Sequence, residues 1–248
     1  MKCLILAAGY ATRLYPLTEN FPKPLLQVGE KSILDWLLDD LDGSGRIEEY
    51  IVISNHRYAR HFEDWARARG GAIRVLDDGT VSNETRLGAV RDIRFAVETL
   101  GLDGELLVIA GDNLLDFSLK GFLAFAREKG SSAVMCYREP DTQKLCKMGV
   151  AQIDPDGRMT AMEEKPAEPK SHWCIPPFYY FAAADVPQIA AGIEAGCGVD
   201  APGSFLAWLC TVRPVYAWPM PGSRYDIGNL ASYRAVQTVY RGLQETAR

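Results

Sequence analysis

Short runs of apolar residues alternate with longer amphipathic segments through the first 110 residues of the chain. The mainly apolar runs cover residues 3–8, 50–54, 72–76 and 105–110, with Arg74 and Glu105 as their charged members. Runs of this kind are typical of strands that are buried on both faces of a parallel sheet. The segments at residues 32–41 and 58–69 carry apolar residues at helical spacing and are followed by glycines. This strand–helix order predicts a parallel sheet with right-handed crossovers.

The pattern changes from residue 131 onwards. Strands are predicted at residues 132–137, 150–153, 159–163, 175–182 and 215–218, and helices at residues 186–195 and 230–243. The turn Asp154-Pro155-Asp156-Gly157 predicts a hairpin, so this half is more antiparallel. We therefore predict an α/β fold with a Rossmann-like, mostly parallel central sheet, helices on both of its faces and a smaller antiparallel subregion. The whole chain, residues 1–248, is predicted to be one domain.

The first apolar run ends in a loop whose residues suit a phosphate. Gly9 ends the strand, and the segment after it carries Arg13 and Lys23. A buried strand that runs into a small-residue loop presents backbone N–H groups to phosphate oxygens. The arginine can bind those oxygens through two nitrogens, and the lysine adds a point charge. Neither GxxxxGK[ST] nor GxGxxG is present, so a dinucleotide-dependent oxidoreductase is not expected.

A single carboxylate follows the strongest of the predicted strands. Asp112 stands in the sequence Gly111-Asp112-Asn113, directly after the apolar run 105–110. Open α/β sheets bind ligands at the carboxyl ends of their strands, and carboxylate oxygens suit Mg²⁺. By itself, an aspartate in this place is more often a turn or a helix cap.

Composition excludes some classes of partner. The chain of 248 residues is 48% apolar and 24% charged, with a net charge of −5, so no nucleic acid or anionic membrane surface is expected to bind it. No apolar run approaches the roughly 20 residues of a membrane span. The six cysteines form no CxxC pair, and the apolar N-terminus is too short for an export signal. A cytoplasmic protein with reduced cysteines is predicted.

Residues 3–26, CLILAAGYATRLYPLTENFPKPLL, resemble a known signature. The resemblance is to the sugar-phosphate nucleotidyltransferases of the glucose-1-phosphate thymidylyltransferase type, whose pattern is roughly LAAGxGTRLxPLTxxxPKPLL. Ala11 departs from this pattern, because the family usually has a second glycine there. The likeness extends to about residue 235 and implies a nucleotide-diphospho-sugar transferase-like fold.

The resemblance implies roles in donor binding. Arg13 and Lys23 would be catalytic, and Mg²⁺ would be held by Asp112 together with Asp226 of the segment GSRYDIG. The nucleotide would contact residues of the first loop, of the segment after residue 82 and of the 111–113 motif, namely Leu6, Ala7, Ala8, Gly9, Asn83, Leu87, Gly88 and Asp112. The alternative for the segment at 82–88 is a helix-capping turn, which Ser82 and Asn83 would suit.

The resemblance also implies an acceptor site for a sugar 1-phosphate. Lys165 would neutralise the acceptor phosphate, Glu164 would bind ring hydroxyls, and Gly149 would let the sugar approach the backbone. Tyr179 would line the same pocket, although either Tyr179 or Tyr180 could instead be a core residue. The pair Pro176-Pro177 stands where the family commonly has Thr-Gly or a similar small pair, so the acceptor stays open.

The activity implied is the condensation of a nucleoside triphosphate with a sugar 1-phosphate to give an NDP-sugar and pyrophosphate. Residues 1–130 would form the nucleotide-binding half and residues 131–248 the acceptor-binding half, with a homo-oligomer possible. The donor base is open between thymidylyl, uridylyl and cytidylyl transfer. One alternative is a cytidylyltransferase with a non-sugar phosphate or phosphonate acceptor. The other is a catalytically silent, nucleotide-sensing subunit of the same fold.

Overall fold

The computed structural model describes residues 1–244 of the chain. The strands are β1 (Lys2–Leu6), β2 (Gln27–Val28), β3 (Lys31–Ser32), β4 (Glu49–Ser54), β5 (Ile73–Asp77), β6 (Leu106–Ala110), β7 (Asn113–Leu115), β8 (Ser132–Arg138), β9 (Gly149–Ile153), β10 (Met159–Glu164), β11 (Trp173–Cys174), β12 (Phe178–Phe181), β13 (Val215–Pro219) and β14 (Arg224–Asp226). The helices are α1 (Ile33–Asp42), α2 (His56–Arg69), α3 (Ala89–Leu100), α4 (Lys120–Lys129), α5 (Thr142–Leu145), α6 (Gln188–Glu194), α7 (Gly203–Val212) and α8 (Leu230–Val239).

The chain divides into two compact units, each made of separate stretches of sequence. Within the described residues, unit 1 comprises Met1–Arg86, Ala110–Gly121 and residues 221–244, and unit 2 comprises Leu87–Ile109 and Phe122–Met220. The boundary predicted at residue 130 separates a nucleotide-binding half from an acceptor-binding half. Packing does not test that functional division, which stays a prediction.

Unit 1 contains the parallel strands that the sequence predicts. Strand β4 lies between β1 and β5 and is parallel to both. The connecting helices start at capping side chains, since Ser32 Oγ accepts a hydrogen bond from Asp35 N at the start of α1, and Asn55 Oδ1 accepts one from Tyr58 N at the start of α2. The predicted β–α–β–α–β order of this region is confirmed.

The core of unit 1 joins the first loop to the last helix. Eight buried side chains form this cluster: Leu14, Leu26, Val28, Ile33, Leu114, Ile227, Val236 and Tyr240. Strands β7 and β14 pair antiparallel, with Asn113 opposite Asp226. Strand β14 was not predicted, because its three residues, Arg-Tyr-Asp, have no apolar alternation. The last helix was predicted to end at residue 243, whereas α8 ends at Val239.

Unit 2 carries the antiparallel strands. Strand β12 lies between β6 and β8 and is antiparallel to both, and β9 and β10 form the predicted hairpin. The strand predicted at 175–182 begins only at Phe178, since Pro176 and Pro177 have no N–H to donate to a neighbouring strand. Helix α4 was not predicted. The α/β class with a mixed sheet is confirmed.

The six cysteines, which all lie within residues 1–244, are thiols and not disulfides, and four of them are buried. Within residues 1–244, no helix combines the length and the apolarity that crossing a bilayer requires.

Candidate active site

The end of β1 is fixed by hydrogen bonds on both sides. Ala7 N donates to Ile53 O at 3.0 Å, and the Asn55 amide donates to Ala8 O at 2.9 Å. On the other side Gly111 N donates to Leu6 O at 3.2 Å. Gly9 is the first exposed residue after the strand, and a side chain there would meet no atom within 4 Å. The predicted nucleotide-binding residues 6–9 are therefore held by hydrogen bonds at the end of β1, and the backbone reaches the surface at Gly9.

Ala11 holds a left-handed backbone conformation, with φ 46° and ψ 40°. Its carbonyl accepts hydrogen bonds from Thr18 Oγ1 at 2.8 Å and from Leu14 N at 2.9 Å, which keep the loop folded back on itself. Left-handed backbone is strained for a residue with a Cβ atom. The left-handed backbone thus explains why the family pattern has glycine at this position. In this chain Ala11 adopts the same conformation at a cost in backbone strain.

We expect Ala11→Gly to raise the free energy of unfolding by about 0.5–1 kcal/mol, because relief of the strain exceeds the extra flexibility of glycine in the unfolded chain. Urea denaturation measures the change. Ala66→Gly, within α2, is the matched control and should lower the free energy of unfolding by about 1 kcal/mol. Equal losses from both substitutions would contradict the strain at Ala11.

The two predicted catalytic cations have different surroundings. Arg13 is exposed and forms no ion pair or hydrogen bond with the rest of residues 1–244. Lys23 is only 9% exposed. It begins a short 3-10 turn, Lys23–Leu25, and a proline stands on each side of it. Its Nζ lies 2.6 Å from Asp112 Oδ2 and donates to Ile227 O at 2.5 Å. Lys23 is therefore a buried ammonium aimed at the predicted metal ligand.

The two predicted metal ligands lie at the ends of paired strands. Asp112 immediately precedes β7, and Asp226 ends β14, opposite Asn113. Ile227 N also donates to Asp112 O at 3.4 Å. Within residues 1–244 no cluster of three or more acidic, histidine or cysteine side chains is placed to hold a metal. Two carboxylates fit Mg²⁺ nevertheless, because that ion commonly takes one or two protein carboxylates together with substrate phosphates.

The hydrogen bonds around Asp112 include two residues that were not predicted from the sequence, Asn113 and Arg224. The Asn113 amide nitrogen donates to Asp112 Oδ1 at 2.6 Å, and its oxygen accepts from Arg224. A polar residue directly after a buried strand was the available signal for Asn113. Arg224 gave none, because its place beside Asn113 depends on the pairing of β14 with β7.

The predicted base-reading segment is a turn followed by a glycine-led helix. Thr85 N donates to Ser82 O at 3.2 Å, and Arg86 Nη1 donates to Asn83 O at 2.9 Å, so the turn closes on itself. Helix α3 is preceded by Gly88, with φ 92°, and not capped by Ser82 or Asn83. A side chain at Gly88 would collide with Val199 O. The helix-capping alternative is therefore wrong, while base contact by Asn83, Leu87 and Gly88 stays a prediction.

The predicted acceptor residues Gly149 and Glu164 pair directly across the β9–β10 hairpin. A Cβ atom at Gly149 would lie 2.6 Å from Met162 Cε, and one at Gly203 would overlap Glu164 Oε1. Burial raises the pKa of the Glu164 carboxyl, and the nearby Lys165 opposes this only in part. Within residues 1–244 this carboxyl has no hydrogen-bond partner. It lies in a narrow space bounded by glycines, ready to bind a hydroxyl donor.

We expect Glu164→Gln to be more stable than the wild type at neutral pH. A raised pKa in the folded state means that the stability contributed by the neutral carboxyl is present in acid and is lost as the pH rises through that pKa. The neutral amide does not titrate, so the two proteins should converge below about pH 4. Thermal unfolding across pH measures the difference. A constant difference at every pH would contradict the desolvated carboxyl.

Lys165 and Tyr179 differ in accessibility. Lys165 is exposed and has a left-handed backbone, φ 49°, fixed by a hydrogen bond from its N to Met148 O at 2.9 Å. Tyr179 is 2% exposed and packs on Phe181 with ring centroids 6.2 Å apart. Tyr180 is buried as well, because β12 is paired on both edges and covered on both faces. Both tyrosines are thus core residues, and acceptor contact by Tyr179 stays a prediction.

Comparison with known proteins adds an independent test of the fold and family. The chain is 27% identical over 242 residues to the UTP–glucose-1-phosphate uridylyltransferase of Synechocystis sp., which covers 94% of this chain and 61% of that relative. It is 29% identical over 187 residues to the UTP–glucose-1-phosphate uridylyltransferase AglF of Haloferax volcanii, covering 74% of this chain and 73% of the relative. This chain is therefore shorter than its match in Synechocystis and spans about three fifths of it.

A crystal structure of a UDP-glucose pyrophosphorylase complexed with UDP-glucose has the same fold. It superposes with a TM-score of 0.82 at 21% sequence identity, over 96% of this chain and 97% of the other. The profile of the nucleotidyl transferase family matches residues 2–241. The signature loop, the fold and this match agree, and the chain belongs to the nucleotidyl transferase family.

Proposed function

We propose that this protein condenses a nucleoside triphosphate with a sugar 1-phosphate, giving an NDP-sugar and pyrophosphate. The observation that carries the proposal is the convergence of the Lys23 ammonium on Asp112, with Asp226 on the adjoining strand. The two uridylyltransferase relatives are named for this chemistry with UTP and glucose 1-phosphate, which makes UTP the first donor to test.

In the proposed reaction an oxygen of the acceptor phosphate attacks the α-phosphorus of the triphosphate. The bond from that phosphorus to the oxygen bridging to the β-phosphate breaks, and pyrophosphate leaves with its electron pair. Both reactants are anions, so the protein has to supply position and positive charge rather than a nucleophile.

The chain's own cations meet that need on the donor side. Lys23 forms an ion pair with Asp112 and donates one hydrogen bond to Ile227 O, and its three N–H groups allow it to bind an α-phosphoryl oxygen as well. Arg13 has no protein partner within residues 1–244 to give up, so its guanidinium is free to bind the departing pyrophosphate. Neutralising the oxygens on which charge develops lowers the barrier.

Asp112 and Asp226 are the residues that would hold Mg²⁺. When bound, the ion supplies positive charge at the phosphoryl oxygens of both anionic reactants. Lys23 and Asn113 keep the carboxylate of Asp112 in a fixed orientation from two sides. Asp226 is exposed and has no protein partner within residues 1–244, so it is free to bind the ion when the triphosphate arrives.

The acceptor is proposed to bind in unit 2. Lys165 presents an exposed ammonium for the phosphate, on a left-handed backbone that is held by the hydrogen bond from its N to Met148 O. The Glu164 carboxyl, without a partner among residues 1–244, would accept hydrogen bonds from the hydroxyls of a sugar. Gly149 pairs with Glu164 across the hairpin, and the absence of a Cβ atom there leaves room for the side chains of Met162 and Glu164.

The test is pyrophosphate release with Mg²⁺, measured for UTP, dTTP, CTP, GTP and ATP against several sugar 1-phosphates and phosphocholine. One strong, acceptor-dependent combination is expected, with a sugar 1-phosphate. Activity confined to CTP and phosphocholine would replace the sugar acceptor with a phosphorylated amino alcohol. Nucleotide binding without any turnover would favour the silent, nucleotide-sensing alternative and contradict the proposal.

A further inference from the structure

We propose that Asn113 and Arg224 are positioning residues that set the orientation of the Asp112 carboxylate, and hence the affinity of the site for its metal ion. The inference rests on the proposed function, because it takes Asp112 as a metal ligand. It concerns two side chains of unit 1, because Asn113 donates to Asp112 and Arg224 donates to Asn113.

The polarity of the contacts determines the direction of the Asn113 amide. Arg224 can only donate, so the atom of Asn113 that faces it must be the oxygen. The ionised Asp112 can only accept, so the atom that faces it must be the amide nitrogen, 2.6 Å away. Asn113 is 1% exposed, and water therefore cannot substitute for either partner.

Asp112 is held from two sides as a result. Asn113 binds Oδ1, and Lys23 binds Oδ2 at 2.6 Å. A carboxylate with a hydrogen bond at one oxygen and an ion pair at the other cannot rotate freely, and every oxygen keeps a further lone pair for a cation. Lys23 would also contact the substrate. The Asn113 amide donates to Asp112 and would keep that hydrogen bond when the substrate binds.

Strand pairing connects the same amide to the second metal ligand. Asn113 lies opposite Asp226 in the β7–β14 register, and Arg224 is two residues before Asp226 on the same strand. The Arg224–Asn113 hydrogen bond therefore ties the strand of one carboxylate to the residue that orients the other. Hydrogen-bonded partners of metal ligands commonly change metal affinity about 10–100-fold when they are lost.

The proposal assigns Arg224 an effect that passes through Asn113, and this separates it from a merely structural role. Asn113→Leu removes both hydrogen bonds at similar volume. Arg224→Gln removes the cation, and Arg224→Lys keeps a donor. If Arg224 acts through the amide, adding Arg224→Gln to Asn113→Leu should weaken metal binding no further, because coupled residues are not additive.

The experiment is a titration with Mn²⁺, followed by electron paramagnetic resonance, alone and with UTP present. We expect Asn113→Leu to weaken Mn²⁺ binding about tenfold and Arg224→Gln severalfold, with Arg224→Lys near the wild type. The double variant should match Asn113→Leu. Ser32→Ala, which removes the cap of α1, is the control for lost stability and should leave Mn²⁺ affinity unchanged.

Pyrophosphate release is measured on the same proteins. Equal Mn²⁺ affinity in wild type and in the folded Arg224→Gln variant would overturn the inference while leaving an active enzyme intact. So would a wild type that binds no Mn²⁺ under either condition. If the wild type releases no pyrophosphate while the wild type and the variants still show the expected order of Mn²⁺ affinities, the inference is supported and the proposed function is refuted.

Discussion

Replacing Lys23 with methionine is expected to lower the turnover number by about two to three orders of magnitude, which is the usual effect of losing one charge contact in the transition state. The ammonium of Lys23 is buried, and it lies 2.6 Å from the carboxylate of Asp112. Methionine keeps the length of the side chain and removes the charge. Steady-state pyrophosphate release with saturating substrates gives the measurement.

Replacing Lys23 should also reduce stability, although the residue stands in a loop. Because Lys23 is the buried partner of Asp112, its loss leaves that carboxylate unpaired and should lower the free energy of unfolding by about 1–3 kcal/mol. Lys31→Met breaks an exposed ion pair with Asp39 and is the matched control, with turnover unchanged. Near-normal turnover of folded Lys23→Met would contradict the assigned role.

Replacing Asp226 with alanine is the second change with a large expected effect, again about two to three orders of magnitude in turnover. Its side chain is exposed and has no protein partner within residues 1–244, so the free energy of unfolding should change by less than about 0.5 kcal/mol. Asp226 shares the β7–β14 edge with Asp112. The variant should also need more Mg²⁺ for half-maximal rate.

The control for Asp226→Ala is Asp103→Ala, another exposed aspartate without a partner among residues 1–244. It should leave both turnover and Mg²⁺ dependence unchanged. If Asp226→Ala keeps wild-type turnover and Mg²⁺ dependence, then Asp226 is a surface residue of the turn at the end of β14 and not a metal ligand.

The sequence could predict the parts of the site whose geometry is local. The strand β1, the loop after it and the place of Asp112 after β6 all follow from apolar runs that end in glycine. Ala11 was visible as the one departure from the signature of residues 3–26, and its left-handed backbone explains why the family usually has glycine there. The residues 149 and 164 are also nearly local, because a hairpin fixes which positions face each other.

Contacts between distant segments could not be predicted. Lys23 and Ile227 are 204 positions apart, and their hydrogen bond depends on how the first loop packs on the core of unit 1. Nothing in the sequence marks Arg224 as a partner of Asn113, since the three-residue strand β14 is too short and too polar to carry a pattern. Gly203 likewise could not be identified from the sequence, because a side chain there is excluded only by the carboxyl group of Glu164 beside it.

The sequence by itself determined the α/β class, the family and the chemical identity of the cations and carboxylates, because periodicity and motif spacing depend on neighbouring residues alone. Only the tertiary structure decided that Lys23 is buried against Asp112, that Asn113 orients that carboxylate, and that Tyr179 belongs to the core. The physical reason is that burial and pairing of polar groups are set by whichever distant segment covers them, and chain order does not encode that directly.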